Sequence, residues 1–396
     1  MHTGQLVFAQ LMREFPLKAF SRFVAVRKGQ HKVKDFSCLD QFFVQAFAQL
    51  TGRDSLRSIE LNLRIKRQYW YHMGLRCKNI SRNTIANANS TRPWQMFFDL
   101  AQQLIGTAKK LYVEDLLDAE LAATLNATIY ALDSSTVDLC LSLFSWAPFR
   151  ETKAAIKLHT LLDLRGAIPT FIHISDGKMA DVKMLDILVE QGYIEAGAFY
   201  VMDRAYIDFS RLFLIEKRKA YFVTRTKSNT IAETCEHRAV EPGTGITSDE
   251  RVFLLGEKSL QDYPNELRRV RYTDQKTGKK LVFLTNNLTL PALTIAALYK
   301  NRWQVELFFK WIKQHLRIKV FLGTNENAVK TQIWCAIATY VLIAITKKRL
   351  NLPQSLHEIL RVLDLNIFES TPIPELFRAL EIDREETVLN EQYSLF

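Results

Sequence analysis

Four side chains of different chemistry stand at fixed spacing near residue 300: Tyr299, Arg302, Glu306 and Lys313. No Gly or Pro interrupts this stretch, and Pro291 lies eight residues before Tyr299, where a helix could begin. A helix turns by about 100° per residue, which places the other three side chains within about 60° of Tyr299. The spacing therefore predicts one helix carrying a carboxylate, two cations and a phenol along a single stripe.

The same spacing is also typical of an ordinary amphipathic helix, because the adjoining positions are apolar at helical intervals. In that interpretation Arg302 and Glu306 are only a surface pair at i,i+4, worth a few tenths of a kcal/mol. Two carboxylates further upstream favour a chemical role instead.

Asp133 and Asp203 each end a short apolar run with the composition of a strand, residues 128–133 and 199–203. Sites form where the strands of an α/β sheet end, so these carboxylates and Glu306 are predicted to converge. Mg²⁺ suits such a group, since it is a hard ion that takes oxygen ligands. Two ions about 4 Å apart would support in-line phosphoryl displacement. Taken singly, each aspartate would more often be a turn or cap residue.

The elements around these residues indicate a mixed α/β sheet with helices against its faces. The order is three hairpin-like strands, a helix, a strand, a helix and a strand, followed by turn-rich, strand-prone segments. The predicted strands and helices are 128–133, 154–163, 167–174, 182–188, 199–203, a helix through about 217, and 221–225.

Positive charge is concentrated in the first third of the chain. The formal net charge is +11, and residues 1–113 hold 18 Lys and Arg against 6 Asp and Glu, whereas the remaining residues hold 35 against 36. This asymmetry favours a basic helical region that binds a polyanion such as DNA. A merely soluble basic domain is the alternative.

Within that region Ser81 is predicted to cap a short polar helix from which Arg82, Asn83 and Asn87 project. Arg and Asn side chains can contact guanine and adenine edges, so a helix-turn-helix-like unit is one interpretation. An ordinary polar surface helix has the same pattern.

The five cysteines are scattered singly, which indicates free thiols in a reducing cytoplasm and neither a zinc site nor a disulfide framework. No signal peptide is recognised at the N-terminus, and no apolar run is expected to span a membrane. We therefore expect a cytoplasmic, nucleoid-associated protein with no membrane partner.

The chain resembles the bacterial DDE transposases of the insertion-sequence-four family. Tyr299, Arg302, Glu306 and Lys313 match the Y-R-E-K signature of that family, with two, three and six residues between its members. The aspartates match within residues 130–136 (YALDSST) and 201–206 (VMDRAY), although position 205 is Ala where many relatives have Gly. The resemblance covers nearly the whole chain, including a helical N-terminal region like that of many members.

This resemblance implies a ribonuclease-H-like catalytic core with a β-rich insertion, an all-α N-terminal domain and a helical C-terminal segment. It implies that Asp133, Asp203 and Glu306 hold two Mg²⁺ ions, for which Mn²⁺ can substitute. Tyr299, Arg302 and Lys313 are then expected to bind DNA phosphates. The expected domains are residues 1–115 (basic, DNA-binding), 125–226 with 287–325 (catalytic core), 227–286 (insertion) and 326–396 (helical segment).

The resemblance also implies a reaction and its partners. Water cuts at the ends of the element, the freed 3′-hydroxyl forms a hairpin with the opposite strand, and the opened end joins target DNA. The expected partners are double-stranded DNA, as terminal inverted repeats and as target, and a second copy of the chain on paired ends, with no small-molecule substrate. An apolar helix at 333–345 is either a dimer contact or plain core, and Tyr263 or Tyr272 could hold a flipped base.

Two other functions remain open from the sequence. One is a ribonuclease-H-like metal nuclease that lacks the strand-transfer step, and the other is an inactive DNA-binding remnant of a transposase.

Overall fold

The structure, a computed structural model, describes residues 4–115, 125, 127–150, 153–227, 230–314 and 321–378, without the side chains of Arg150 and Gln314. The chain divides into two compact units, which are considered separately. The helical unit comprises Met1–Tyr112 and Lys310–Phe396, and the sheet unit comprises Val113–Phe309. The four-part division expected from the sequence remains a prediction.

The elements follow one another in a simple order along the described residues. The N-terminal helices are α1 Val7–Met12, α2 Leu17–Val26, α3 Cys38–Leu50, α4 Leu56–Ile65, α5 Arg82–Thr91 and α6 Gln95–Tyr112. The next elements are β1 Ile129–Leu139, β2 Pro148–Arg150, β3 Lys153–Asp163, β4 Ile168–Asp176, α7 Lys183–Glu190, β5 Phe199–Met202, α8 Phe209–Lys217 and β6 Tyr221–Arg225. They are followed by β7 Ala232–His237, β8 Ile246–Leu254, α9 Glu257–Asp262, β9 Leu267–Thr273 and β10 Lys280–Thr285. The last helices are α10 Ala292–Lys300, α11 Trp303–Gln314, α12 Glu326–Arg349 and α13 Leu356–Asn366.

Helix α12 forms the centre of the helical unit, where it packs against α3, α5 and α6. Contrary to expectation, this helix is long and apolar enough to cross a membrane, but 94% of its most apolar segment is buried inside the protein. It is therefore a core helix, and no other described helix passes the same test. Residues 333–345 lie within that packing, which agrees with the core interpretation and not with a dimer contact.

The described N-terminal and C-terminal segments also meet in this unit. The backbone N–H of Val7 donates to the carbonyl oxygen of Glu369 at 2.8 Å, and that of Phe8 donates to Ile367 at 3.1 Å. The Gln10 side chain donates to the carbonyl of Thr371 at 2.8 Å. Helix α1 is thus fastened to residues that follow α13.

The sheet unit contains one ten-stranded sheet in the order β2-β3-β1-β5-β6-β10-β9-β8-β7, with β4 also paired to β3. Strands β1, β3 and β4 are antiparallel neighbours, whereas β1, β5 and β6 run parallel. Helices α7 and α8 cover a buried apolar cluster on this sheet, because their apolar residues recur at helical spacing. The predicted ribonuclease-H-like mixed sheet is confirmed.

Residues 227–286 are rich in strands, as predicted, and these strands extend the same sheet. Strand β10 pairs antiparallel with β6, with Phe283 opposite Arg225, and β9, β8 and β7 follow in turn. Hydrogen bonding is therefore continuous from β6 into the strands of this segment.

Two local predictions are wrong. The strand that holds Asp133 does not end there, because the antiparallel partner β3 continues alongside β1 to Leu139. The helix predicted over 299–313 begins after Pro291, as expected, but breaks at Asn301. The Asn301 side chain donates to the carbonyl of Ala297 at 3.0 Å, so this residue ends α10 by bonding to its own backbone.

Candidate active site

The register of two parallel strands brings Asp133 and Asp203 together. Strands β1 and β5 pair in parallel up to Leu132 opposite Met202, and each aspartate is the next residue on its strand. Adjacent strands lie about 4.8 Å apart, so the two side chains emerge next to each other. Glu306 lies on the same side of the site, because Arg302 donates hydrogen bonds to both Asp133 and Glu306.

Asp133 is a largely buried carboxylate that accepts hydrogen bonds from two groups. Its Oδ1 accepts from the backbone N–H of Ser134 at 2.8 Å, and its Oδ2 accepts from Nη1 of Arg302 at 2.8 Å. Burial raises the pKa of Asp133 to about 6, although Arg302 and the Ser134 N–H lower it; Asp203 and Glu306 raise it further. Burial therefore outweighs the stabilisation that Arg302 and the Ser134 N–H give to the charged form of Asp133.

Asp203 is fixed by the turn that follows it. Its Oδ1 accepts from the backbone N–H of Ala205 at 2.5 Å, where it caps a short 3₁₀ helix, Arg204–Tyr206. The Thr224 hydroxyl on β6 donates to its backbone carbonyl at 3.2 Å. Among the described residues none donates a hydrogen bond to Oδ2 of Asp203, so this oxygen can face a cation.

Arg302 lies in the turn between α10 and α11 and joins two of the carboxylates. Its Nη2 donates to Oε1 of Glu306 at 2.5 Å, in addition to its bond with Asp133. The Arg302 side chain is 15% exposed and that of Glu306 is 56% exposed, so the arginine is held inside the site while the glutamate faces outward. The predicted phosphate-binding arginine is thus engaged by carboxylates in this structure.

Tyr299 and Lys313 occupy different surroundings. The Tyr299 ring lies 4.9 Å from the ring of Phe283 on β10, and burial raises the pKa of its phenol, which therefore stays neutral at physiological pH. The guanidinium of Arg302 lies 5.7 Å from the Tyr299 ring, so these two signature members are in contact. Lys313 is half-buried on the last turn of α11, beyond the residues of the sheet unit.

The donor set suits a divalent cation by its chemistry. Carboxylate oxygens are the ligands that Mg²⁺ prefers, and such an ion would stabilise the charged form of Asp133, which burial disfavours. In the described ranges, however, no three acidic, His or Cys side chains stand close enough together to hold a metal. The bridging position of Arg302 between Asp133 and Glu306 accounts for this separation.

The sequence interpretation missed Asp181, which lies directly behind the site. Its Oδ1 accepts from the Ser134 hydroxyl at 2.5 Å and from Nζ of Lys157 at 3.2 Å, and lies 3.7 Å from Nδ1 of His159. Ser134 is the residue that follows Asp133, so Asp181 holds the side chain next to that carboxylate. The available signal was the alternation of Lys157 and His159 within an otherwise apolar strand.

The two aromatic residues considered for a flipped base differ sharply in position. Tyr263 is fully buried in the sheet-unit core, and its hydroxyl donates to Glu216, so it is excluded from that role. Tyr272 is half-buried, with its ring stacked 6.4 Å from that of Phe283.

Family comparison matches most of the chain. A model described as "Transposase DDE domain" matches residues 125–342, which include the three carboxylates and the residues around them. A second model, described as a domain of unknown function (DUF4372), matches residues 3–76.

Individual relatives give the same assignment. The chain is 34% identical to y4zB of Sinorhizobium fredii, which is named as a transposase, over 72% of this chain and 75% of that protein. It is 30% identical to a probable transposase for the element IS5377 of Geobacillus stearothermophilus, over 57% of this chain and 59% of that protein. It is 26% identical to a transposase named for the element IS4SA of Synechocystis, over 78% and 82%. Among solved structures, a piggyBac transposase synaptic complex with hairpin DNA aligns at a TM-score of 0.47 and 12% identity, over 91% of this chain and 80% of that chain.

Proposed function

The chain belongs to the family of DDE transposases, phosphoryl-transfer enzymes that act on DNA, and from this premise we propose that Asp133, Asp203 and Glu306 form its catalytic site. The observation that supports this most strongly is the parallel register of β1 and β5, which sets the two aspartates side by side. Glu306 joins them through its shared partner Arg302.

The same three carboxylates are proposed to hold two Mg²⁺ ions, with Mn²⁺ as a substitute. When bound, the ions would activate water and stabilise the attacking and leaving oxygens of the phosphodiester. Asp203 can offer Oδ2 to a cation while its Oδ1 keeps the hydrogen bond that caps the following turn. Asp133 and Glu306 can each offer the carboxylate oxygen that Arg302 now occupies, once Arg302 moves away.

Arg302 is proposed to exchange partners when DNA binds. A phosphate, like a carboxylate, presents two oxygens that can accept a pair of parallel N–H bonds from a guanidinium. An incoming phosphate can therefore replace Asp133 and Glu306 as the partner of Arg302. The neutral phenol of Tyr299 and the ammonium of Lys313 are proposed to contact phosphates as well, which would leave the carboxylates for metal.

The proposed reaction proceeds by cleavage at the terminal inverted repeats, hairpin formation by the freed 3′-hydroxyl, hairpin opening and joining to target DNA. The basic residues 1–113 would bind the ends, and two copies of the chain would act on paired ends in the cytoplasm. The hairpin step rests on the family resemblance. A protein without the transfer step would cut ends but would not join precut ends to a second duplex.

The catalytic assignment is tested with Asp203→Ala. We expect this variant to lose metal-dependent nicking and strand transfer while it retains the gel-shift affinity of the wild type for end DNA. Asp138→Ala is the matched control, because Asp138 is exposed further along β1. Nicking by Asp203→Ala at close to the wild-type rate would show that the assignment is wrong.

The assembly is tested by light scattering of the complex with end DNA, where two protomers are expected because two ends must be cut in concert. A monomer that completes cleavage of both ends would exclude the paired assembly.

A further inference from the structure

A cleft of about 1060 Å³ opens on the helical unit between a lysine-rich loop, residues 27–36, and helix α5. The α5 wall presents polar side chains, Thr84, Asn87 and Thr91, and it includes the exposed Asn87 that was predicted to project. All lining residues fall between 27 and 93, so the cleft belongs to this unit alone.

Three cations of the lysine loop face the cleft and are exposed: Lys28, Lys32 and Lys34. Within the part of the chain that the structure describes, none of them forms an ion pair. The nearby Asp35 carboxylate is already engaged, because it accepts hydrogen bonds from the backbone N–H groups of Lys78 and Asn79. The cleft therefore carries uncompensated positive charge.

The other two cations of the cleft have structural partners. Arg27 donates to the Asp99 carboxylate at 2.8 Å, and Arg92 donates to the backbone carbonyl of Ser37 at 3.0 Å. The first bond holds the lysine loop against α6, and the second holds the end of α5 against the start of α3. They leave the three lysines as the side chains that a ligand would meet.

The lysine loop is held in a fixed shape. Gly29 is buried so closely that a Cβ there would lie 2.7 Å from Sδ of Met96, and its carbonyl accepts from Sγ of Cys38 at 3.2 Å. Lys28 and Lys32 both have a φ of 56°, a left-handed conformation that costs a non-glycine residue on the order of 1 kcal/mol. Such a conformation is commonly kept where it positions functional side chains.

We propose that this cleft binds the sugar–phosphate backbone of double-stranded DNA, with the lysine loop contacting phosphates and α5 facing the duplex. This inference rests on the proposed function and specifies where the helical unit holds DNA. Duplex DNA carries one negative charge per about 1.7 Å of axis, so cations spread along a loop can contact successive phosphates. Lysine serves as a point charge for phosphate without reading sequence.

The lining argues against other anionic ligands. A free phosphate ion needs donors that converge on one point, whereas these lysines are spread over seven residues of loop. A peptide partner would be expected to need an exposed apolar anchor point, but of the apolar lining side chains Phe36 and Ala88 are buried, and Val33 and Pro93 are only half-exposed. The polar face of α5 suits a hydrated duplex better.

The test uses the full-length protein with all three lysines replaced by Ala, which keeps a Cβ and so leaves the loop strain unchanged. Binding to a fluorescently labelled duplex of mixed sequence, and to one that carries the element's terminal sequence, is measured over a salt series. Each phosphate contact contributes about 0.9 to the slope of log affinity against log salt, so the slope should fall by about 2.7 for both duplexes. Between about 50 and 200 mM salt, the wild type should lose about 40-fold more affinity than the variant.

The matched control removes the same charge outside the cleft, at Lys18, Arg22 and Arg57, which are exposed on α2 and α4. The salt slope of this control should differ from the wild-type slope by less than about 0.9, the contribution of one phosphate contact. Lys34→Ala alone should lower the slope by about 0.9, which provides a second reading if the triple variant unfolds at a lower temperature than the wild type.

Four results would overturn the inference. They are an unchanged slope in the triple lysine variant, an unchanged slope in Lys34→Ala, an equal loss in the control triple, or displacement of the duplex by polyglutamate at equal charge concentration. In each case DNA binding by the wild type would leave the proposed transposase function standing, with its contacts elsewhere. A wild type without any salt-dependent DNA binding would instead contradict the proposed function itself.

Discussion

Replacement of Asp133 by Asn is expected to stabilise the metal-free protein. Burial and two neighbouring carboxylates raise the pKa of Asp133 from 3.8 to about 6, so its charged form is disfavoured in the folded chain. An acid whose folded pKa is raised binds more protons when folded, and stability therefore falls as pH rises from about 4 to about 6. Above about pH 6, the free energy of unfolding is lower than at pH 4 by at most about 3 kcal/mol.

The asparagine variant carries no charge at this position and should escape that loss. At pH 8 its unfolding temperature should exceed that of the wild type by up to roughly 6–12 °C, and at pH 4 the two unfolding temperatures should nearly coincide. Calorimetric unfolding across this pH range measures the difference. Asp138→Asn on the exposed part of β1 serves as the matched control and should show no such pH-dependent gain.

Added Mg²⁺ should reverse the order, because a bound cation stabilises only the folded chain with an intact site. The wild type should gain stability with Mg²⁺, and Asp133→Asn should gain little. The reasoning would be refuted by an asparagine variant that is no more stable than the wild type at pH 8. A variant that is equally more stable at pH 4 and pH 8 would contradict it too, since the effect would then not come from ionisation.

Three further outcomes are expected. Arg302→Ala should retain part of the metal-dependent first nick but lose hairpinned products on a denaturing gel. Glu306→Ala should lose every product. If both variants give lanes without product, Arg302 belongs to the metal site. Asp181→Asn should slow the first nick by about 10–100-fold at saturating Mg²⁺, since it weakens a charged hydrogen bond to Ser134 worth about 1.5–3 kcal/mol; an unchanged rate would remove its positioning role. Burial lowers the pKa of His159 to about 4, so the unfolded chain binds the proton first and stability falls as pH drops from about 6.5 to 4. His159→Gln should flatten this part of the stability profile, measured by urea denaturation. An unchanged profile would contradict the role assigned to His159.

Most of the sheet was predictable because its strands are short apolar runs bounded by turn residues. Strand β6 matches its predicted limits, and the order of strands along the chain follows from these runs. The length of β1 was not predictable, since its polar end around Asp133 is a strand only because β3 continues beside it. Pairing between distant segments outweighed the local polarity of that stretch.

The candidate site was predictable in its members but not in its contacts. Helical spacing brought Arg302 and Glu306 together correctly, as their i,i+4 pair shows. The bond from Arg302 to Asp133 joins residues far apart in sequence, so no local pattern indicates it. The turn at Asn301 was equally hidden, because the sequence does not show that the Asn301 side chain bonds to the carbonyl of Ala297 and so competes with the helical backbone.

The joining of both described chain segments in the helical unit sets an order for synthesis. The sheet unit is one continuous stretch, and its last carboxylate, Glu306, is made before any residue of α12. The helical unit cannot be completed until α12 and the residues bonded to α1, which reach Ile373, have left the ribosome. The nascent chain therefore acquires its three carboxylates before the core that supports its lysine-rich cleft. A polypeptide whose translation stops before α12 would contain the three carboxylates that we propose as catalytic, but not the completed helical unit that we propose to bind DNA.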